Sequence, residues 1–250
     1  MKLVKQIAIL IFSGAGLVGC TDSGPQPATY LSLMEQERDV DPYPTRMIAT
    51  DRWLRIDDGE GSRSYILFDR KQHVIYSVNS ADARIIVIQP ESTQSVSPMK
   101  LTNTVERGKD DAPAIAGKPV AHYRLLTNGK VCYDVFAVDG LVPQAHSALL
   151  EFSRTLALQQ AATVATTPKE FQTPCGLANT VFAATRHLEH GFPVRWQDMN
   201  GKTSQLTDFQ MGTAAPELFE LPASYSRVSM AELREVKPSP QPDDSMGTQR

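Results

Sequence analysis

Histidines, cysteines and clustered carboxylates carry most of the chemistry this 250-residue chain could perform. His187 and His190 stand in RHLEHG with Glu189 between them. On a helix that spacing puts both imidazoles on one face, the start of a metal site; on a strand they point to opposite faces. No third dedicated ligand accompanies them and neither HExxH nor HxxEH occurs, so histidines exposed ahead of a turn at Gly191 account for them better. Asp57, Asp58 and Glu60 surround Gly59 but lack the alternating ligands and distal glutamate of a calcium loop, and read as a solvated hairpin turn. His146, Ser147 and nearby carboxylates could be assembled into a hydrolase triad, yet no GxSxG elbow holds a nucleophile. Cys132 and Cys175 lie far apart and form no CxxC. The sequence therefore points away from an enzyme and assigns no cofactor and no metal.

The remaining cysteine has a different context. Lys2 and Lys5 precede an apolar run from Ile7 to Val18, the order of a secretory signal peptide. The run is too short for a bilayer core, which needs roughly 20 apolar residues as a helix. Leu17, Val18, Gly19 and Cys20 resemble the lipobox of bacterial lipoproteins; the alternative is an ordinary signal peptide with a chance cysteine. The resemblance implies removal of residues 1–19 and acylation of the Cys20 thiol. At about 0.8 kcal/mol per buried methylene, the three chains it implies would anchor the protein firmly. Thr21 stands where the inner-membrane retention signal would place Asp, with Asp22 one position later. The family rule then implies the outer membrane, facing the periplasm.

Cleavage would leave 231 residues carrying 23 basic and 28 acidic side chains, a formal charge of −5. That suits one large domain and offers no basic surface for nucleic acid. With Cys20 acylated, Cys132 and Cys175 are the intramolecular pair left, in a compartment that permits disulfides. Their bond would close a loop of about 44 residues, which chain entropy values at about 4 kcal/mol.

These residues must be positioned by a scaffold. TDSGPQPAT, residues 21–29, reads as a flexible tether, and Tyr30 to Arg38 as a short helix with Leu31 and Met34 on one face, ended by DPYP at 41–44. Residues 20–44 are thus expected to be tether and helix, 45–232 a folded domain, and 233–250 a disordered tail of KPSPQP composition. Within the domain, short strands are bracketed by turns: RMIAT, DRWLRID, SRSYILFD, HVIYSVN and RIIVIQP form an antiparallel meander. PVAHYRLLT and VCYDVFAVD join through Asn128–Gly129, a strong hairpin signal. Gln144 to Thr166 places Ala145, Ala148, Leu149, Phe152 and Leu156 at helical spacing behind Pro143. FPVRWQDM and TSQLTDFQM follow, with Val194 and Trp196 alternating with Arg195 and Gln197. The closing residues 214–230 look like a segment packed along the sheet.

DRWLRID, SYILFDRKQHVIYSVN, GKPVAHYRLL and GFPVRWQDMNGKTSQLTDFQ with ELFELPASY resemble, over 46–230, an exported domain family similar to the Lol lipoprotein-carrier superfamily. The resemblance implies an α+β fold: a strongly curved antiparallel half-barrel with one or more helices packed on its concave face. An apolar concave face must be filled by the chain's own helices or by something greasy. Its expected ligand-binding wall comprises Trp53, Tyr65, Phe68, Phe136 and Trp196, with Ile56, Ile75, Ile86, Ile88, Leu125 and Val194. Leu149, Phe152 and Leu156 are the plug. Two functions remain open: a lipid-anchored module that holds or transfers a lipid or acyl chain without covalent chemistry, and an envelope lipoprotein with a filled core that binds a protein partner.

Overall fold

The computed structural model describes residues 24–59, 61, 63–90, 95–110 and 112–235. The signal segment 1–19, the lipidation candidate Cys20 and the tail from 236 lie outside the described residues.

Alternation of apolar and polar side chains builds the scaffold. In β1 (Gln26–Gln36) Leu31 and Leu33 are buried while Ser32 and Met34 turn outward, and the strand pairs along its length with β2 (Tyr43–Ala49) and β11 (Thr203–Ala214). The short helix expected over Tyr30–Arg38 is therefore a strand. A helix would have put Leu33 across from Leu31 and left one of them in water, whereas the two-residue period buries both. The domain accordingly begins near Gln26, within the segment assigned to tether.

The meander runs through β3 (Trp53–Asp57), β4 (Tyr65–Asp69), β5 (Val74–Asn79) and β6 (Arg84–Ile88). A polar strand, β7 (Asn103–Arg107), comes next, then the hairpin of β8 (Ala121–Thr127) and β9 (Lys130–Val138). Asn128 and Gly129 at its turn both have positive φ, 51° and 76°, the type I′ geometry that matches strand twist. Helix α1 (Pro143–Ala161) follows, then a stretch of short helical turns including α2 (Pro174–Leu177), then β10 (Phe192–Asp198), β11, β12 (Ser226–Ser229) and α3 (Met230–Glu235). Residues 233–235, assigned to the tail, belong to α3.

Among the described residues these strands form one twelve-stranded sheet in the order β12-β6-β5-β4-β3-β2-β1-β11-β10-β9-β8-β7. Every pairing is antiparallel except β12 with β6, and the two ends do not meet. β7 was not legible because all five of its residues are exposed and it carries no apolar alternation.

Both faces of the sheet are covered in places. Ala145 and Ala148 of α1 are fully buried in a cluster with Leu31, Leu54, Phe68, Ile75 and Phe192. On the opposite face, Ile48 and Leu67 pack under a strap at 216–221 that contributes Leu218, Phe219 and Leu221. A disulfide joins Cys132 in β9 to Cys175 in α2, with Cα atoms 5.2 Å apart.

Candidate functional site

The residues expected to wall and plug a ligand site separate into three groups. Phe68, Phe136, Phe152 and Leu156 share the cluster with α1, where Phe152 meets Phe68 edge-on at 5.7 Å between centroids. Trp53 and Tyr65 lie on the opposite face: Trp53 stacks on Phe219 at 6.4 Å, and the Tyr65 hydroxyl donates to the Glu220 carbonyl at 2.6 Å. They hold the strap. Leu54 and Ile56 of β3, and Ile66 and Phe68 of β4, take the α1 side instead, as the two-residue period requires.

Trp196 is displaced for a further reason. The register of β10 against β9 shifts between Pro193 and Arg195, a bulge that reverses which face the following residues take. Val194 stays in the α1 cluster, Arg195 turns over Phe136, and Trp196 packs on Tyr133 on the other side. Leu125 falls in that third cluster too.

Beyond α1, the same apolar face continues into a pocket of about 500 Å³. Its walls are Ile115 and Val120 from the 112–120 segment, Phe136, Val194 and Leu206, and Asp110, Arg195 and Gln205 stand at its polar side. Behind Phe136 the His122 ring lies parallel to it, 1° off and 4.4 Å between centroids. The His122 Nε2 is 3.0 Å from both Asp134 carboxylate oxygens, and its Nδ1 lies 2.9 Å from Asp110 Oδ2 without an aligned hydrogen bond. Gly108 donates its N–H to the His122 carbonyl at 2.9 Å and passes so near the imidazole that a Cβ there would overlap it. Glycine is what lets the backbone run beside this ring. On the outer face of Phe136 the Arg195 guanidinium sits 4.2 Å from the ring centroid. Sequence reading missed His122, Arg195 and the 112–120 segment. The alternation of AHYRLL could have placed His122 on an inward face, but the bulge that turns Arg195 has no composition signal.

The other chemical candidates are otherwise engaged. The His146 ring nitrogen Nε2 is 2.7 Å from the Leu188 carbonyl, while the Ser147 hydroxyl donates to Glu151 at 3.0 Å and accepts from Arg70. Arg70 grips Glu151 through two 2.8 Å hydrogen bonds, clamping α1 to the end of β4. These hydrogen bonds outweigh the upward push of burial and hold the Glu151 carboxyl below its ordinary 4.5. Asp57 is the centre of an arginine pair and not a solvated turn residue, and Glu60 lies outside the described residues. Among the described residues no three His, Cys, Asp or Glu side chains gather as metal ligands.

His190 stacks on Tyr123 at 4.2 Å, and His187 packs against Tyr133 and Trp196 with its Nδ1 shut off from solvent and unpartnered. The expectation of exposed histidines thus fails for His187, because the aromatic cluster under the 186–188 turn closes over it. Burial pushes its pKa down to about 4 from 6.5, against a raising hydrogen bond at Ala184. An unfolded chain takes up this proton near 6.5 and the folded one only near 4. Stability is therefore full above 6.5 and declines as pH falls through that window, at no more than about 1.4 kcal/mol per pH unit for one proton. Melting temperatures at pH 7.5, 6 and 5 should fall less steeply for His187→Phe than for the parent; parallel slopes would show that His187 is not held neutral.

No protein-family model matches the sequence, and no curated protein matches it. Solved structures do match. The structure of PNGF-II in its C2 crystal form aligns with a TM-score of 0.38 at 9% identity, covering 83% of this chain and 32% of that one. MucB aligns with a TM-score of 0.37 at 10% identity, covering 81% of this chain and 60% of that one. The Pseudomonas aeruginosa MucA/MucB complex aligns with a TM-score of 0.36 at 11% identity, covering 82% and 59%. The chain thus spans about a third of PNGF-II and three fifths of the MucB chain.

Proposed function

We propose that this protein is a periplasmic binding module, lipid-anchored to the outer membrane through Cys20, that holds an apolar ligand such as an acyl chain and performs no covalent chemistry. In this reading the sheet is a half-barrel, α1 is the plug on its concave face, and the space the plug does not fill is the binding site. The observation that carries it is the open pocket of about 500 Å³ beside α1, walled by Ile115, Val120, Phe136, Val194 and Leu206. That size falls within the roughly 300–1,000 Å³ of small-molecule sites. A second reading, a partner-binding lipoprotein with a filled core, has its own support: α1 already covers Leu54, Phe68 and Ile75.

Native mass spectrometry of the soluble chain beginning at Thr21, purified from an envelope fraction, separates the two. A lipid-sized adduct is expected on the parent chain. Ile115→Glu, which puts a charge on the pocket wall, should remove it, and Lys118→Glu, in the same turn but outside the wall, should keep it. Phe152 is a poor probe, since a charge there meets Phe68 and tests folding. A chain that flies empty turns the conclusion to the partner-binding reading.

A further inference from the structure

The apolar pocket has a polar end, and Arg195 is the one cation among its described lining residues. Arg195 is exposed, lines both this pocket and a second, more polar groove of about 400 Å³, and has no carboxylate partner among the described residues. The groove continues past it along Gln197, Thr203, Ser204 and Gln205. Two carboxylates also line these spaces, Asp110 in the apolar pocket and Asp134 in the groove, and both contact His122.

We propose that Arg195 binds the anionic head of a single-chain amphiphile whose hydrocarbon chain occupies the apolar pocket. This deepens the reading of that pocket as a ligand site and rests on it. Three features support the assignment. Phe136 in β9 is flanked by its two strand partners, the His122 imidazole of β8 at 4.4 Å and the Arg195 guanidinium of β10 at 4.2 Å, so the guanidinium rests on a ring backed from the other side. Stacking on a face leaves the edge of the guanidinium fork open, and the fork's geometry matches carboxylate and phosphate oxygens in bidentate fashion. A side chain already parked in place loses little rotamer freedom when the anion arrives. The position also fits an amphiphile's two halves: Arg195 sits at the boundary, with Ile115, Val194 and Leu206 on one side and Gln197, Thr203 and Ser204 on the other. Gln205, paired with Arg195 across β10 and β11, borders both halves and offers an amide beside the head. Arg46, Arg52, Arg55, Arg70 and Arg124 each pair with an acid, and the buried Arg186 is held by neutral acceptors, whereas the contact recorded for Arg195 is the Phe136 ring.

The shared chemistry is an oxyanion on a hydrocarbon chain, and carboxylate and phosphate heads are distinguished by the probes. The chain from Thr21 to Arg250 contains every described residue and is titrated calorimetrically, below micellar concentrations, with dodecanoate, dodecyl phosphate and neutral dodecanoyl glycerol. The parent should bind at least one anion more tightly than the neutral lipid. Arg195→Gln should weaken that anion at least about tenfold and leave the neutral probe unchanged, with Arg195→Lys recovering part of the loss. Gln205→Glu, which sets a carboxylate opposite an intact Arg195, should weaken the anions in the same way. The anion that loses more identifies the head. Equal losses for charged and neutral probes, or no loss, overturn the headgroup role while the pocket stands. Failure of the parent to bind any of the three removes the pocket reading and this assignment with it.

Discussion

Replacing Cys132 and Cys175 together with alanine should lower the free energy of unfolding by about 4 kcal/mol and the melting temperature by roughly 10 °C. The bond spans a sequence separation of 43 and so removes a long loop's worth of freedom from the unfolded chain. Both cysteines are buried, at 0% and 1% exposure, so alanine removes the sulfurs without leaving a hydroxyl in an apolar site. The closed loop contains most of β9, all of α1 and the turns up to α2, and β10 resumes the sheet only after it. Cutting the bond therefore loosens the helix that covers the core before it disturbs the meander. Urea unfolding followed by tryptophan fluorescence, with and without reductant, measures the effect, since Trp53 reports from β3 in the meander and Trp196 from β10 beside the disulfide-bonded β9. A midpoint that reductant does not move would mean that the unfolded chain stays compact enough for the crosslink to add nothing.

The meander strands and the hairpin at Asn128–Gly129 are legible because turn chemistry and the two-residue period are local. The face each strand presents is not. Sequence alternation tells that Trp53 and Leu54 point oppositely, but α1 covers one side of β3 and the 216–221 strap covers the other, so both faces are apolar and neither is marked as the inner one. Where one face is wet, burial alternates along the strand, as for exposed Ser32 and Met34 beside buried Leu31 and Leu33, but the apolar Met34 hides that alternation in the sequence. β1 was misread for another reason: Leu31 and Met34 satisfy a helical spacing as well, and a short apolar run cannot arbitrate between periods. Arg195 and Trp196 were lost to the bulge, which changes parity by a single residue and depends on pairing with β9. The disulfide was readable from compartment and count, whereas the stack of His122, Phe136 and Arg195 draws on β8, β9 and β10, and only tertiary pairing brings them together.

Asp57→Ala should cost about 3–5 kcal/mol, comparable to the loss of a buried core side chain. Its carboxylate is 1% exposed and accepts from the Arg46 Nε at 2.8 Å and Nη2 at 2.9 Å, the Arg55 Nε at 2.6 Å and the Gly59 N–H at 3.0 Å. Arg55, itself buried, lies 3.8 Å from the Tyr65 ring centroid and donates to the Leu218 carbonyl at 2.8 Å, so its guanidinium joins the sheet to the strap. Alanine would strand that guanidinium in a half-closed site with no anion, and the penalty is that of an unpaired buried charge rather than the worth of the pair. Asp57→Asn keeps the shape and some acceptors and should cost clearly less. The pH dependence follows from the same contacts: burial pushes the Asp57 carboxyl up, but the hydrogen bonds and charges of Arg46 and Arg55 outweigh it and hold the pKa below 3.8. Its contribution is then complete above pH 3.8 and is lost as pH falls through the lower folded value, a window that lies below the one His187 governs. Urea midpoints at pH 7 and pH 3 for the parent and Asp57→Asn test both points: the gap between the two proteins should be wide at neutral pH and narrow in acid. A gap that does not change with pH would mean the carboxylate's charge is irrelevant and that Arg46 and Arg55 are held by packing alone.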